Sequence, residues 1–365
     1  MSIYHTKILR EIDKTLIAQW KKLWAKAENA NAFNSYEWFV TSKEAGKIES
    51  YEIFACYDQE MLVAIFPLCP SRSYGVNVWV PMGDEFIVDT AFLIEKYDPE
   101  ICKSLFKQIF IHKNIYITTL DEKATTLLKK VFPQLFFSLI SVNPYIDFQN
   151  DPLRFLSGSQ RRKMKPILKE NQDHLHFKKY TAEDNLEDHL EKIFEIEQQS
   201  AKKLHAKDVF SKQENIDFYR TMLKHCRKFV VIYFLYYDEI PFVYGFCLRY
   251  GSKVVGYQTS YLATYRNFSP GKIMLKYSLE DMMDDGVDTF DFGGGVSAYK
   301  QAFTPQYFYL YNLYHSGNPF IMMWWKAINA VRRGKQVLFP QKFTKDHQFL
   351  FKTFSQVSSQ EKTYA

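Results

Sequence analysis

The chain has 365 residues, 47% of them apolar, more than one ordinary core needs, which predicts two domains. Lys and Arg number 47 against 41 Asp and Glu, so the formal charge of +6 falls well short of a nucleic-acid coat and suits an anionic, nucleotide-bearing ligand. Cys56, Cys69, Cys102, Cys226 and Cys247 form no CxxC or Cys/His cluster, which argues against a zinc site or disulfide framework and for buried thiols in a reducing compartment.

The N-terminus carries charges where a secretion signal needs an apolar stretch, so a cytoplasmic protein is expected. Thr15 to Asn29 places Leu16, Trp20, Leu23 and Trp24 on one helical face. Tyr51–Tyr57, Met61–Leu68 and a strand from Asn77 follow as an antiparallel meander with Asp-Gln-Glu at its first turn. Asn143 to Ser159 is read as a segment crossing to a second lobe. There the order repeats: a helix over Asn185–Lys203, then strands Phe229–Tyr237, Ile240–Tyr250 and Lys253–Tyr261. Gly271–Asp285 forms a further helix and Thr289–Phe292 a short strand. Gln301 to Trp325 lacks Asp, Glu, Lys and Arg, but Asn312, His315 to Asn318 and Pro319 interrupt it, so it reads as strand, turn and helix start, with no transmembrane span. Helices, a meander, then helix and strand predict an α+β class. The expected domains are 1–150, 151–315, and a C-terminal helix and tail over 316–365.

Two runs carry the chemistry. In Arg266-Asn-Phe-Ser269-Pro270-Gly271-Lys272 a strand ends and a helix starts at once, an arrangement that aims backbone N–H groups and the positive helix end at one spot. It is either a plain helix start or a pyrophosphate loop, with Arg266 and Lys272 as cationic partners. In Phe290-Asp291-Phe-Gly293-Gly294-Gly295 a short strand breaks into three glycines, giving a flexible turn or a close backbone approach to a ligand, and Tyr299 and Lys300 open the next element.

Together the runs resemble the GNAT-type domain of the CelD group, bacterial acyltransferases often linked to exopolysaccharide or cellulose biosynthesis, and more distantly the Fem peptidyltransferases. Phe155-Leu156-Ser157 with Arg161-Arg162-Lys163 is similar to the basic helix opening the second domain of these families. Phe33-Asn34-Ser35-Tyr36-Glu37-Trp38 and Phe66-Pro67-Leu68 are similar to their first domain. The resemblance spans roughly residues 10 to 315 and is specific between 255 and 303. It implies two tandem GNAT-like lobes, each a mixed, largely antiparallel sheet flanked by helices, the first degenerate and the second binding the acyl donor. Where GNAT proteins commonly carry Gln/Arg-x-x-Gly-x-Gly/Ala, this chain has Pro270, which removes one amide donor.

The resemblance also implies roles. Acyl-CoA is the donor, held at Tyr257, Thr259, Arg266, Ser269, Gly271 and Lys272, with backbone amides over Tyr257 to Ser260 stabilising the oxyanion. Tyr299 would protonate the leaving thiolate, or is simply a packed aromatic; Lys300 would steady the carbonyl oxygen, or is a solvated lysine. Asp291 is a candidate base or a hydrogen-bond partner of the glycine turn. His205, Arg161 and Arg162 would meet the acceptor, or belong to solvated helix surface. The acceptor is a small molecule or saccharide, no metal is expected, and no nucleic acid unless the donor is a charged tRNA. The helix from Phe320, apolar ahead of Arg332, Arg333 and Lys335, either associates weakly with a membrane surface or packs against the second lobe. Two alternatives stay open: a Fem-like aminoacyl-tRNA-dependent transferase, and a non-catalytic protein binding a ligand or partner.

Overall fold

The computed structural model describes residues 4–111, 113–150, 158–204, 209–295, 298–304 and 306–338. In chain order the first part runs β1 (Tyr4–Leu9), α1 (Lys14–Trp24), α2 (Tyr36–Ala45), β2 (Glu52–Asp58), β3 (Met61–Ser73), β4 (Val76–Pro81), β5 (Leu93–Ile94), α3 (Pro99–Phe110), β6 (Ile115–Leu120), α4 (Glu122–Val131) and β7 (Phe136–Asp147). The second runs α5 (Gly158–Glu170), β8 (Leu175–Tyr180), α6 (Leu186–Gln198), α7 (Ala201–Leu204), α8 (Gln213–Cys226), β9 (Val230–Tyr237), β10 (Ile240–Tyr250), β11 (Lys253–Tyr261), α9 (Pro270–Asp284), β12 (Thr289–Asp291), α10 (Ala298–Gln301), β13 (Tyr307–His315) and α11 (Pro319–Leu338). The class is α+β, with mixed sheets flanked by helices.

The chain divides into two compact units, one of residues 1–143, 294–297 and 308–365, the other of 144–293 and 298–307. In the first, the strand order is β1-β2-β3-β4-β6-β13, with β4·β6 the parallel pair. Trp20 of α1 and Trp325 of α11 lie on one side of this core, both fully buried. Trp325 corrects the expectation that the last helix packs against the second lobe. The outward residues Phe320, Met323, Trp324 and Val331 are exposed.

In the second unit the order is β7-β12-β11-β10-β9-β8, antiparallel except for β11·β12. β9, Val-Val-Ile-Tyr-Phe-Leu-Tyr-Tyr, is a continuous apolar run because helices cover both its faces. Val231, Tyr233 and Leu235 join Ile273, Leu275 and Leu279 of α9 in one cluster, while Phe234 meets His189 of α6 on the other face. The helix expected over Asn185–Lys203 breaks at Gln199 and Ser200, where Ser200 bridges Leu262 at the end of β11. All five cysteines are free and buried.

Candidate active site

The centre of the site is a separation of two parallel strands. Lys253, Val254 and Val255 of β11 pair with Thr289, Phe290 and Asp291; β12 then stops while β11 continues to Tyr261. At this point β11 bulges: Cys247 faces Gly256 and Phe246 faces Gln258, leaving Tyr257 as the extra residue. A bulge twists its strand and frees a backbone group from the ladder. The Tyr257 N–H is directed at the Cys247 thiol, whose pKa is pushed up to about 12 by burial and is held back in part by that contact. The Tyr257 phenol is also driven up by burial, with Tyr219 beside it. Tyr257 thus contributes its backbone to the bulge and its ring to the core.

β12 leads into the glycine turn. Gly293 has φ +70°, and a Cβ there would sit 2.6 Å from the Gly256 carbonyl, so only glycine fits between the strands. Asp291 is fully buried; its Oδ1 accepts from Gly293 N at 2.8 Å and Lys253 Nζ lies 4.0 Å from its Oδ2. Lys300 is buried too, and donates from Nζ to Gly293 O at 3.2 Å. Its ammonium is therefore tied to the turn and does not lie in solvent. Tyr299 exposes 36% of its surface, yet its hydroxyl end is buried. That burial, reinforced by nearby Cys247, pushes the phenol up to about 12. It keeps its proton at neutral pH, as a general acid must.

The donor loop forms a 3-10 turn, Ala263–Phe268, that runs into α9. Ser269 takes a left-handed conformation with φ +54° and its side chain does not cap the helix. Ser269 N donates to Arg266 O and Lys272 N to Ser269 O, while Pro270 has no N–H, so the first turn offers Gly271 N as its outward amide. A Cβ on Gly271 would meet nothing within 4 Å, and Arg266 is exposed beside it. The fold itself does not demand glycine there.

Thr259 is tied elsewhere: its hydroxyl donates to Tyr244 O at 2.7 Å and its carbonyl accepts from Lys202 Nζ at 2.5 Å. Arg162 turns its Nε back to Gly158 O at 3.3 Å, within its own helix. The Arg161 side chain and His205 lie outside the described residues. Sequence reading missed Glu197, whose side chain is 1% exposed and accepts from Tyr244 OH at 3.1 Å and Gln258 Nε2 at 3.4 Å. A signal was available: Leu186, Leu190, Ile193 and Glu197 share one face of α6, so a carboxylate occupies a position the helix buries. Among the described residues no group of His, Cys, Asp and Glu could hold a metal, and no helix is long and apolar enough to cross a membrane.

No curated protein matches the chain. Among solved structures it is similar to FemX, at 10% identity and a TM-score of 0.60 over 87% of this chain and 99% of that one. A conserved protein of unknown function from Bacteroides thetaiotaomicron gives 9% identity and a TM-score of 0.57 over 84% and 100%. The C-terminal domain of a protein named as a lysylphosphatidylglycerol synthetase, from Agrobacterium fabrum, gives 10% and 0.54 over 86% and 95%. At these identities the likeness is one of fold. Residues 158–301, which carry the separated strands, the bulge, the donor loop and the glycine turn, match the family described as Acetyltransferase (GNAT) domain.

Proposed function

We propose that the protein is an acyltransferase that moves an acyl group from acyl-CoA to an amine or hydroxyl of a small-molecule or saccharide acceptor, in the manner of the CelD group. The observation that carries this reading is the parting of β11 and β12 at a bulge in β11, opposite Cys247 of β10, the residue whose thiol acts on the Tyr299 phenol. Thioester aminolysis needs an attacking lone pair, stabilisation of the tetrahedral oxyanion and a proton for the leaving sulfur. Backbone N–H groups of β11 beyond its pairing with β12 supply the second, and Tyr299 the third. Gly271 N and Arg266 meet the pyrophosphate. Lys300 and Asp291 act through the turn: the first holds the carbonyl of Gly293 and the second its N–H. The role first expected for Lys300, direct contact with the carbonyl oxygen, therefore requires it to leave Gly293.

Thermal stability with coenzyme A, acetyl-CoA and a long-chain acyl-CoA tests the donor. At hundredfold excess over Kd, about 2.7 kcal/mol of stabilisation is expected. No shift with any of the three removes the CoA reading. The Fem-like alternative has support in the fold of FemX; binding of a charged tRNA with a steep salt dependence would favour it. The exposed face of α11 supports weak association with a membrane surface, which vesicle co-sedimentation unaffected by Phe320→Ser would remove.

A further inference from the structure

Acyl transfer to an amine releases a proton from the attacking nitrogen. Tyr299 enters the reaction already protonated, as the acid, and Asp291 is enclosed with its Oδ1 on Gly293 N, so neither receives it. We propose that Lys202, positioned by the buried carboxylate of Glu197, is the base that takes this proton; the proposal deepens the acyltransferase reading and rests on it.

Four observations carry it. First, the break in the helix at Gln199 and Ser200 fastens the chain to β11, through the Ser200–Leu262 bridge and Ala263 N donating to Gln199 O. It brings Lys202 to the strand edge, where Nζ donates to Thr259 O at 2.5 Å, two residues beyond the bulged Tyr257. Second, Lys202 Nζ lies 3.8 Å from Glu197 Oε1; its side chain is 37% exposed against 1% for Glu197. The lysine can reach a substrate, and the carboxylate acts through it. Third, Glu197 is held on both oxygens, by Tyr244 and Gln258, so its charge is fixed in place. A buried carboxylate is costly unless bonded in this way. Fourth, burial lowers the Lys202 pKa, with Glu197 opposing the fall, so a neutral amine is more accessible here than on a surface lysine.

The other ionisable groups around the pair do not compete. Tyr244 and Tyr219 are driven up by burial, then by Glu197, and stay protonated. Lys203, next along α7, is exposed. The step balances: the acceptor nitrogen forms the C–N bond, the C–S bond breaks, the nitrogen's proton passes to Lys202 Nζ, and the Tyr299 proton passes to sulfur.

Competitive labelling with acetic anhydride across pH, mapped by mass spectrometry, reads Lys202 without any turnover. Lys202 should gain reactivity at lower pH than Lys203, and in Glu197→Gln at lower pH still, since the carboxylate that favours the ammonium is gone. Reactivity of Lys202 that tracks Lys203 overturns the proposal. Release of coenzyme A from acetyl-CoA, with ethanolamine or glucosamine as acceptor, should fall about 10²-fold in both Lys202→Met and Lys202→Arg. Stabilisation by acetyl-CoA should stay unchanged. Arginine that restores the wild-type rate makes the pair a structural ion bridge and overturns the proposal. Failure of every acyl-CoA to stabilise the wild type overturns the donor reading instead, so the two failures are separable.

Discussion

Lys300 and Asp291 hold the same residue from opposite sides: the ammonium donates to the Gly293 carbonyl at 3.2 Å, and the carboxylate accepts from the Gly293 N–H at 2.8 Å. Both groups are buried, so the turn between the strands is fixed by charge-assisted hydrogen bonds. Lys300→Met should therefore destabilise the protein by about 1.5–3 kcal/mol, the range for a lost bond to a charged group. Urea denaturation checks it. A methionine variant as stable as wild type would mean that Lys300 does not anchor the turn.

Gly293 should tolerate no side chain. Its φ of +70° costs an alanine about 1–2 kcal/mol before any contact is considered, and the Gly256 carbonyl would stand 2.6 Å from the new Cβ. Gly293→Ala should lose more than about 2 kcal/mol in the same denaturation assay, and lower acyl transfer at temperatures where it remains folded. The neighbouring Gly295 is the control: at φ +81° it shares the strain, but nothing lies within 4 Å of a Cβ there.

Tyr299→Phe should lower single-turnover acyl transfer by roughly 10²-fold with donor affinity nearly intact, since only proton transfer is lost. The pH dependence has a definite sign. A general acid works while protonated, and burial pushes this phenol up to about 12, above its ordinary value. The wild-type rate should accordingly show no alkaline loss from Tyr299 through pH 10. An alkaline limb that disappears in Tyr299→Phe and titrates at or below 10 contradicts this assignment.

The donor loop separates binding from folding. Gly271 has room for a Cβ and lies in the first turn of α9, so Gly271→Val should fold while losing acyl-CoA affinity. Arg266→Ala should be milder, about tenfold, matching roughly 1.5 kcal/mol for one charge-assisted contact. Calorimetric titration checks both, and an unchanged affinity in folded Gly271→Val takes the loop out of the site.

One acyl donor should bind per chain, because the Ser269-Pro270-Gly271 turn occurs once in the sequence and residues 158–301 carry the family match. Calorimetry giving two sites per chain would contradict this.

The sequence by itself determined the meanders, because β-branched and aromatic runs punctuated by Asp and Gly have a local cause. β9, β10 and β11 fall within a residue of the strands read from that pattern. It also determined the start of α9, where Pro270 sets φ and opens the helix, and the turn at Gly293, where the need for a missing Cβ is written in the residue. Only the tertiary structure decided what depends on partners distant in the chain. β13, read from sequence as a strand after the glycine turn, pairs with β6 of the first unit, nearly two hundred residues away. The burial of Lys300 follows from the carbonyl it meets, and no local pattern distinguishes it from a solvated lysine. Glu197 and Lys202 stand five residues apart, yet they meet β11 together only because the helix breaks at Ser200 to bridge Leu262. Local propensity fixes elements within a few residues; the neighbours that give a charge its function come from pairings whose loops the sequence does not measure.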